Sequence, residues 1–129
     1  MEQIKIKSKQ KDQVIDITHQ VQNILDKQDL EEGLCNVFVS HTTCCITTAD
    51  LDPGTDKDLL EACRAVIPDL DYRHPHNPEH TPDHILSSII GPNVTIPFEN
   101  KKLILGTWQR IILVEFNGPR DRDVFINLL

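Results

Sequence analysis

At 129 residues the chain has the length of one domain and can bury about two thirds of its unfolded surface, so it needs no staples to fold. Lys and Arg number 13 against 20 Asp and Glu, a formal charge of −7, which argues against broad sequence-independent binding to nucleic acid. No run approaches the ~20 apolar residues of a membrane span, and the opening MEQIKIKSKQ lacks an apolar leader stretch, so neither nucleic acid nor membrane is an expected partner.

Ile4 and Ile6 alternate with lysines and predict a strand with one wet face, and Val14 to Ile17 predict a second. Thr18 is the expected cap of a helix whose apolar positions Val21, Ile24 and Leu25 keep the three-four spacing, with Gly33 ending the unit. Leu34 to Ile46 is the most strand-like run of the first half. Counting by twos puts Cys35, Val37, Val39, His41 and Thr43 on one face. His41 therefore has two readings, a satisfied core imidazole or a ligand, and Thr42 and Thr43 add two hydroxyls beside it. Adjacent Cys44 and Cys45 point to opposite faces. With Cys35 and Cys63 they form no C-x-x-C pair and read as buried thiols of a reducing, cytoplasmic protein.

The turn formers of TTADLDPGTDKD follow, and Asp50, nearest the strand end, is the acid to examine for a substrate contact or a second metal. Thr55 is placed as the next cap, ahead of a buried stripe of Leu59, Leu60, Cys63, Val66 and Ile67 that Pro68 stops. Tyr72 to Gly91, YRHPHNPEHTPDHILSSIIG, then holds four of the six histidines: His74, His76, His80 and His84. Imidazoles are the commonest zinc ligands, so a divalent metal is the first chemistry to consider, with a merely solvated loop as its rival. His41, far away in sequence, favours the metal, because catalytic metal sites collect single ligands from distant segments. Thr81 and Pro82 open a helix with Asp83 in its first turn and an apolar face of Ile85, Leu86, Ile89 and Ile90. His84, Ser87 and Ser88 form a polar strip on it that either faces a cavity or packs against a sheet.

The remainder reads as an antiparallel meander: NVTIPFE, a turn at Glu99 to Lys102, LILGTW, RIILVEF, the turn NGPRDR and DVFINLL. Pro97 belongs on an edge or bulge, Gly106 marks a bulge before Trp108 and Gln109, and Trp108 reads as a core residue. Gly118 and Pro119 make the last turn. Glu99 and Glu115 are either carboxylates that orient an imidazole or accept a proton, or members of structural ion pairs.

Together HTT, YRH, DHILSSIIG and NVTIPFENKKLILGTWQRIILVEFNGPR resemble the YjbQ-like family, also called the secondary thiamine-phosphate synthase family, over essentially the whole chain. The resemblance implies an α+β fold, a single domain of packed antiparallel β-sheets with flanking helices, assembled as a homotrimer. It implies a divalent cofactor, zinc, on His41, His74 and His84. It also implies an activity: joining a pyrimidine diphosphate and a thiazole phosphate into thiamine phosphate, with release of pyrophosphate. The chain departs from the family pattern where relatives read N-E-N-A-D, leaving Asp50 or Asp52 as the acid there. Arg110 replaces the glycine of W-Q-G, and His76 and His80 stand where relatives generally lack histidine.

Three neutral imidazoles on zinc leave a position for water or an anionic oxygen, and departing pyrophosphate develops charge that a cation and arginines stabilise. Arg73, beside His74, and Arg120, in the GPR turn, are the expected arginines. Arg73, Glu99 and Glu115 are thus the catalytic candidates. Thr42, Thr43, Asp50, Ser87, Ser88 and Arg120 are substrate-binding candidates, together with Thr107 and Gln109 beside Gly106. The expected function is a metal-dependent transferase acting on a small phosphorylated metabolite. A metal-dependent hydrolase and a non-enzymatic metal- or metabolite-binding trimer are the alternatives.

Overall fold

Hydrophobic alternation along the strands sorts the chain into layers. In the computed structural model, which describes all 129 residues, the strands are β1 (Glu2–Lys7), β2 (Gln13–Asp16), β3 (Glu32–Val39), β4 (Cys44–Ala49), β5 (Asn93–Glu99), β6 (Lys102–Leu103), β7 (Arg110–Glu115) and β8 (Asp121–Leu128). The helices are α1 (Thr18–Asp26), α2 (Thr55–Val66) and α3 (Thr81–Ile90), the last preceded by a 3-10 turn at Pro78–His80. All pairing is antiparallel. One sheet has the order β1-β8-β3-β5-β6 and the other β2-β7-β4.

Cys35, Val37 and Val39 of β3 and Val124 and Ile126 of β8 face Cys44, Ile46, Ile111 and Leu113 of the smaller sheet, and Val21 and Leu25 of α1 close this core. The opposite face of the smaller sheet presents Cys45, Ile112 and Val114, followed by Phe116, to Leu86 of α3 and to the partly buried Leu59, Leu60 and Cys63 of α2. Each fully buried aliphatic side chain contributes roughly 1.5–3 kcal/mol, so the chain is an α+β domain held by two cores: sheet, core, sheet, core, helices. Cys44 and Cys45 enter different cores, as alternation requires. No helix is long and apolar enough to cross a membrane.

Several local expectations change. Ile17, not Thr18, holds the cap position of α1; the Asp16 carboxylate just before it accepts the Thr18 N–H at 3.0 Å, while the Thr18 hydroxyl is buried and accepts the Ile111 N–H at 2.8 Å. Gly33 does not end the helix. It lies inside β3 at φ 154°, where a Cβ would stand 2.1 Å from the Leu129 carbonyl oxygen. Thr55 and Thr81 occupy the first helical position, behind Gly54 and His80. Val66 is exposed, and so is Ile89, because α3 turns Asp83, Leu86 and Ser87 inward instead. Asp83 tolerates full burial because Arg64 Nη1 donates to it at 2.7 Å. Arg64 also pairs with Asp12 and donates to the Phe116 carbonyl at 3.1 Å, which ties α2 and α3 to the end of β7.

The run Leu34 to Ile46 is two strands in two sheets. β3 stops at Val39, and residues 40–43 carry the chain across to β4, so the row Cys35, Val37, Val39 does not extend to His41. Nor is the second half a meander. β7 sits between β2 and β4, while β8, directly after the NGPRDR turn, sits between β1 and β3. Gly106 is in a turn rather than a bulge, accepting the Gln109 N–H at 3.0 Å and donating to Gln109 Oε1 at 3.0 Å. Trp108 is 70% exposed and belongs to no core. Pro97 fits β5 because Leu34 opposite it exchanges both backbone bonds with Leu129, at 2.9 and 2.8 Å, and asks for no N–H.

Candidate functional site

The 40–43 crossover, the histidine loop, the start of α3 and the turn into β8 meet at one end of the sandwich. They surround a cavity of about 490 Å³ with no hydrophobic residue in its wall. His41 comes from the crossover, His74 and His80 from the loop, and His84 from the first turn of α3. Arg120, Arg122 and Asn117 come from the β7–β8 connection and β8. Ser40, Thr42 and Thr43 complete the wall.

Arg122 is the buried anchor, 2% exposed. It faces inward from β8, in step with Val124 and Ile126, and Glu115 faces it from β7, in step with Ile111 and Leu113. Its Nε donates to Glu115 Oε1 at 2.8 Å and its Nη2 to Glu115 Oε2. Nη2 also donates to Thr43 Oγ1 at 2.7 Å and to the Thr43 carbonyl at 3.2 Å. Burial alone would push the Glu115 carboxyl up. Hydrogen bonds from Arg122, from the Ser8 hydroxyl at 2.6 Å and from the Asn117 N–H at 3.2 Å outweigh it and hold the group below its ordinary range. Glu115 is thus a structural ion pair partner that aims Arg122, and it touches no imidazole. At His41 burial, then the nearby Arg122 charge, lowers the imidazole pKa against the pull of Asp123 and Glu115, in keeping with the Asp123 N–H donating to its Nε2.

The expected ligand triad shares this cavity but does not converge. His41 Nε2 faces the Asp123 N–H at 2.9 Å, and His74 Nδ1 faces the Asn77 N–H at 3.2 Å. The His74 and His84 rings are stacked, with centroids 5.0 Å apart and planes 19° apart, so their in-plane lone pairs run side by side rather than toward a common point. No group of three His, Cys, Asp or Glu side chains is arranged to hold a metal ion. The donor types suit zinc, but the ring placement does not fit it.

The other expected site residues divide. Thr42, Thr43 and Arg120 line the cavity. Arg120 Nε donates to the Asn117 carbonyl at 2.9 Å, which leaves its Nη groups for a ligand. Ser87 and Ser88 border a smaller pocket of about 180 Å³ that also has His41 and Thr42 in its wall, and Ser87 Oγ is already committed to the Asp83 carbonyl at 2.8 Å. Asp50 and Thr107 are not near the histidines. They line a separate cavity of about 200 Å³ with Asp16, Asp52, Trp108 and Arg110, at the Ala49 end of β4, about 17 Å along the strand from Cys44. Gln109 stays in its turn, with Nε2 donating to Thr48 Oγ1 at 3.0 Å. Glu99 is exposed at the β5–β6 hairpin opposite Glu32. Arg73 is exposed and outside the cavity wall, while its neighbour His74 turns in. His76 is exposed, its ring edge-on to His74.

Arg122, Asn117 and Ser40 join the site without having been singled out, and of the two histidines that relatives generally lack, His80 joins it and His76 does not. A basic residue at the end of NGPRDR reads as a solvated turn residue. What could have exposed Arg122 is its alternation with Val124, Ile126 and Leu128, which puts it on the inner face of its strand.

A family model described as "UPF0047 protein YjbQ-like" matches residues 2–129. The chain is 34% identical over 128 residues to a UPF0047 protein of Archaeoglobus fulgidus, covering 98% of this chain and 99% of that one. It is 35% identical over 127 residues to UPF0047 protein YugU of Bacillus subtilis, covering 98% and 96%. The crystal structure of an uncharacterized conserved protein of the YjbQ/UPF0047 family from Clostridium acetobutylicum superposes with a TM-score of 0.92 at 39% identity over all of both chains. A YbjQ-like protein of unknown function from Sulfolobus solfataricus gives 0.92 at 29% identity, over 98% and 94%. These names carry the family and the fold, and none carries thiamine-phosphate synthesis.

Proposed function

The chain belongs to the YjbQ-like UPF0047 family, and we propose that it is an enzyme acting on a small phosphorylated metabolite, with thiamine-phosphate synthesis as the reaction. One observation carries the reading: a cavity walled by two guanidiniums, four imidazoles and short polar side chains, with no hydrophobic residue. Such a wall suits a phosphate or diphosphate, and its charges are fixed before a ligand arrives. Arg122 is held by Glu115 and Thr43, and Arg120 by the Asn117 carbonyl. Preorganised donors of this kind stabilise charge as it develops. In the reaction a carbon–nitrogen bond forms between the pyrimidine and thiazole parts. The carbon–oxygen bond to pyrophosphate breaks, and the departing oxygen keeps the electron pair. In this reading both arginines donate hydrogen bonds to that oxygen, and Arg120 supplies the charge that offsets it, Arg122 being paired with Glu115.

A divalent ion on His41, His74 and His84 would enter this reading only with the first two rings turned over, so no step is assigned to one. A homotrimer and a cytoplasmic location, which four free thiols suit, belong to the same proposal. Light scattering at three times 14.7 kDa checks the assembly. The activity test supplies both precursors and follows thiamine phosphate and pyrophosphate together. Wild type should form them one to one, and Arg120→Ala about a hundredfold more slowly, the loss typical of a removed oxyanion donor. Phosphate-ester hydrolysis without thiamine phosphate would replace this reading with the hydrolase.

A further inference from the structure

The hydrogen-bond partners of the cavity histidines decide what the cavity can take. A backbone N–H only donates, so His41 Nε2, facing the Asp123 N–H at 2.9 Å, and His74 Nδ1, facing the Asn77 N–H at 3.2 Å, present lone pairs there. His80 falls in the same class. Asn77 Oδ1 accepts the Glu79 N–H at 3.1 Å, which fixes Asn77 Nδ2 as the amide donor facing His80 Nε2 at 3.3 Å. A neutral imidazole has one lone pair and one N–H. His41 and His80 therefore carry their proton on Nδ1 and His74 carries it on Nε2, and these N–H groups are the polar atoms the rings have left to offer. A metal ligand needs the reverse, because its second nitrogen donates to a carbonyl or carboxylate.

Arg122 points the same way. It is 2% exposed, yet all of its hydrogen bonds within the chain use Nε and Nη2. Nη1 is left without a partner in a side chain that lines the cavity. The guanidinium thus keeps one edge open to the cavity that the three histidines also line, where an acceptor with several oxygens can reach it.

Resting on the reading of this cavity as a site for a phosphorylated metabolite, we infer that it binds the phosphoryl group directly, with no metal ion between, through the N–H groups of His41, His74 and His80 and the guanidiniums of Arg122 and Arg120. The ligand class is a phosphate monoester or diphosphate, whose oxygens accept from every group named and whose charge Arg120 offsets, Arg122 being already paired with Glu115.

Calorimetry with inorganic phosphate and pyrophosphate, on the full chain in chelator and again with zinc added, tests this. Binding should survive the chelator and change less than about twofold with zinc. His74→Ala and His80→Ala should each weaken it by about tenfold or more, as loss of a hydrogen bond to a charged group does. His74→Gln and His80→Asn return an amide N–H near the lost one and should stay within about threefold of wild type. Nitrogen NMR of the histidine rings should place the proton on Nδ1 of His41 and His80 and on Nε2 of His74. Binding that requires zinc, or equal losses in the alanine and amide variants, overturns the inference and leaves the phosphorylated-ligand reading standing. No binding of either anion, with or without zinc, overturns both.

Discussion

Glu115→Ala removes a carboxylate that is fully buried and leaves the Arg122 guanidinium, 2% exposed, without its counter-charge. Breaking one side of a buried ion pair costs about 3–5 kcal/mol. With an unfolding entropy of about 2.1 cal/mol/K per residue, the 129 residues give about 0.27 kcal/mol/K, so the melting temperature should fall by about 11–18 °C. Scanning calorimetry at neutral pH measures this directly. The pH dependence checks the cause. The folded-state pKa of Glu115 lies below its ordinary 4.5, so its stabilisation is complete above that value and is lost as pH falls through the folded-state pKa. Wild type should weaken across that acid window, and Glu115→Gln should show a flatter profile there. Replacing both partners, as in Glu115→Gln with Arg122→Met, should recover much of the lost stability, since the stranded charge is gone, while abolishing phosphate binding. A fall under about 4 °C in Glu115→Ala, or a double variant less stable than the single one, would refute the reasoning.

Two further outcomes are expected. Burial pushes the thiols of Cys35, Cys44 and Cys45 up to about 11, about 12 and about 12, so at about pH 8 no more than about one in a thousand is a thiolate. Iodoacetamide should then modify at most Cys63 in the native chain and all four in denaturant, and mass spectrometry showing two or more labels on native protein would contradict this. Trp108, the single tryptophan and 70% exposed, should emit like a water-exposed indole and be quenched by acrylamide about as strongly as a free tryptophan amide. A blue-shifted, protected emission would mean that something covers it in solution.

Helix positions were legible because their signals are local: the three-four spacing of Val21 and Leu25, the stop at Pro68 and the Pro82 start all survive in the structure. The break between β3 and β4 was not. Val39, His41 and Thr43 keep the period of two, and neither glycine nor proline punctuates the run, yet the chain leaves one sheet and enters the other there. The β7–β8 connection misleads for the opposite reason. NGPR looks like a hairpin turn, and only the positions of β1 and β2 determine that its two strands pair with different neighbours. The histidines were legible as a group, since His41, His74 and His84 do share one cavity. Their ring orientation depends on the Asp123 and Asn77 amides, whose placement no pattern of residues announces. Trp108 misled because bulk predicts burial, while its turn holds it clear of both cores.

Glu115 reaches inward from the smaller sheet and Arg122 from the larger, so their union works as a rivet through the layer between them. Whatever pulls on that guanidinium from the cavity side tugs on both halves of the molecule. An occupant drawn to Arg122 therefore registers as resistance to heat, about 2.7 kcal/mol at a hundredfold excess over its dissociation constant. The converse also holds: changing Arg122 alone strands Glu115 and loosens the fastening of the sandwich, so the cavity can be retuned there without loss of robustness only by replacing both partners.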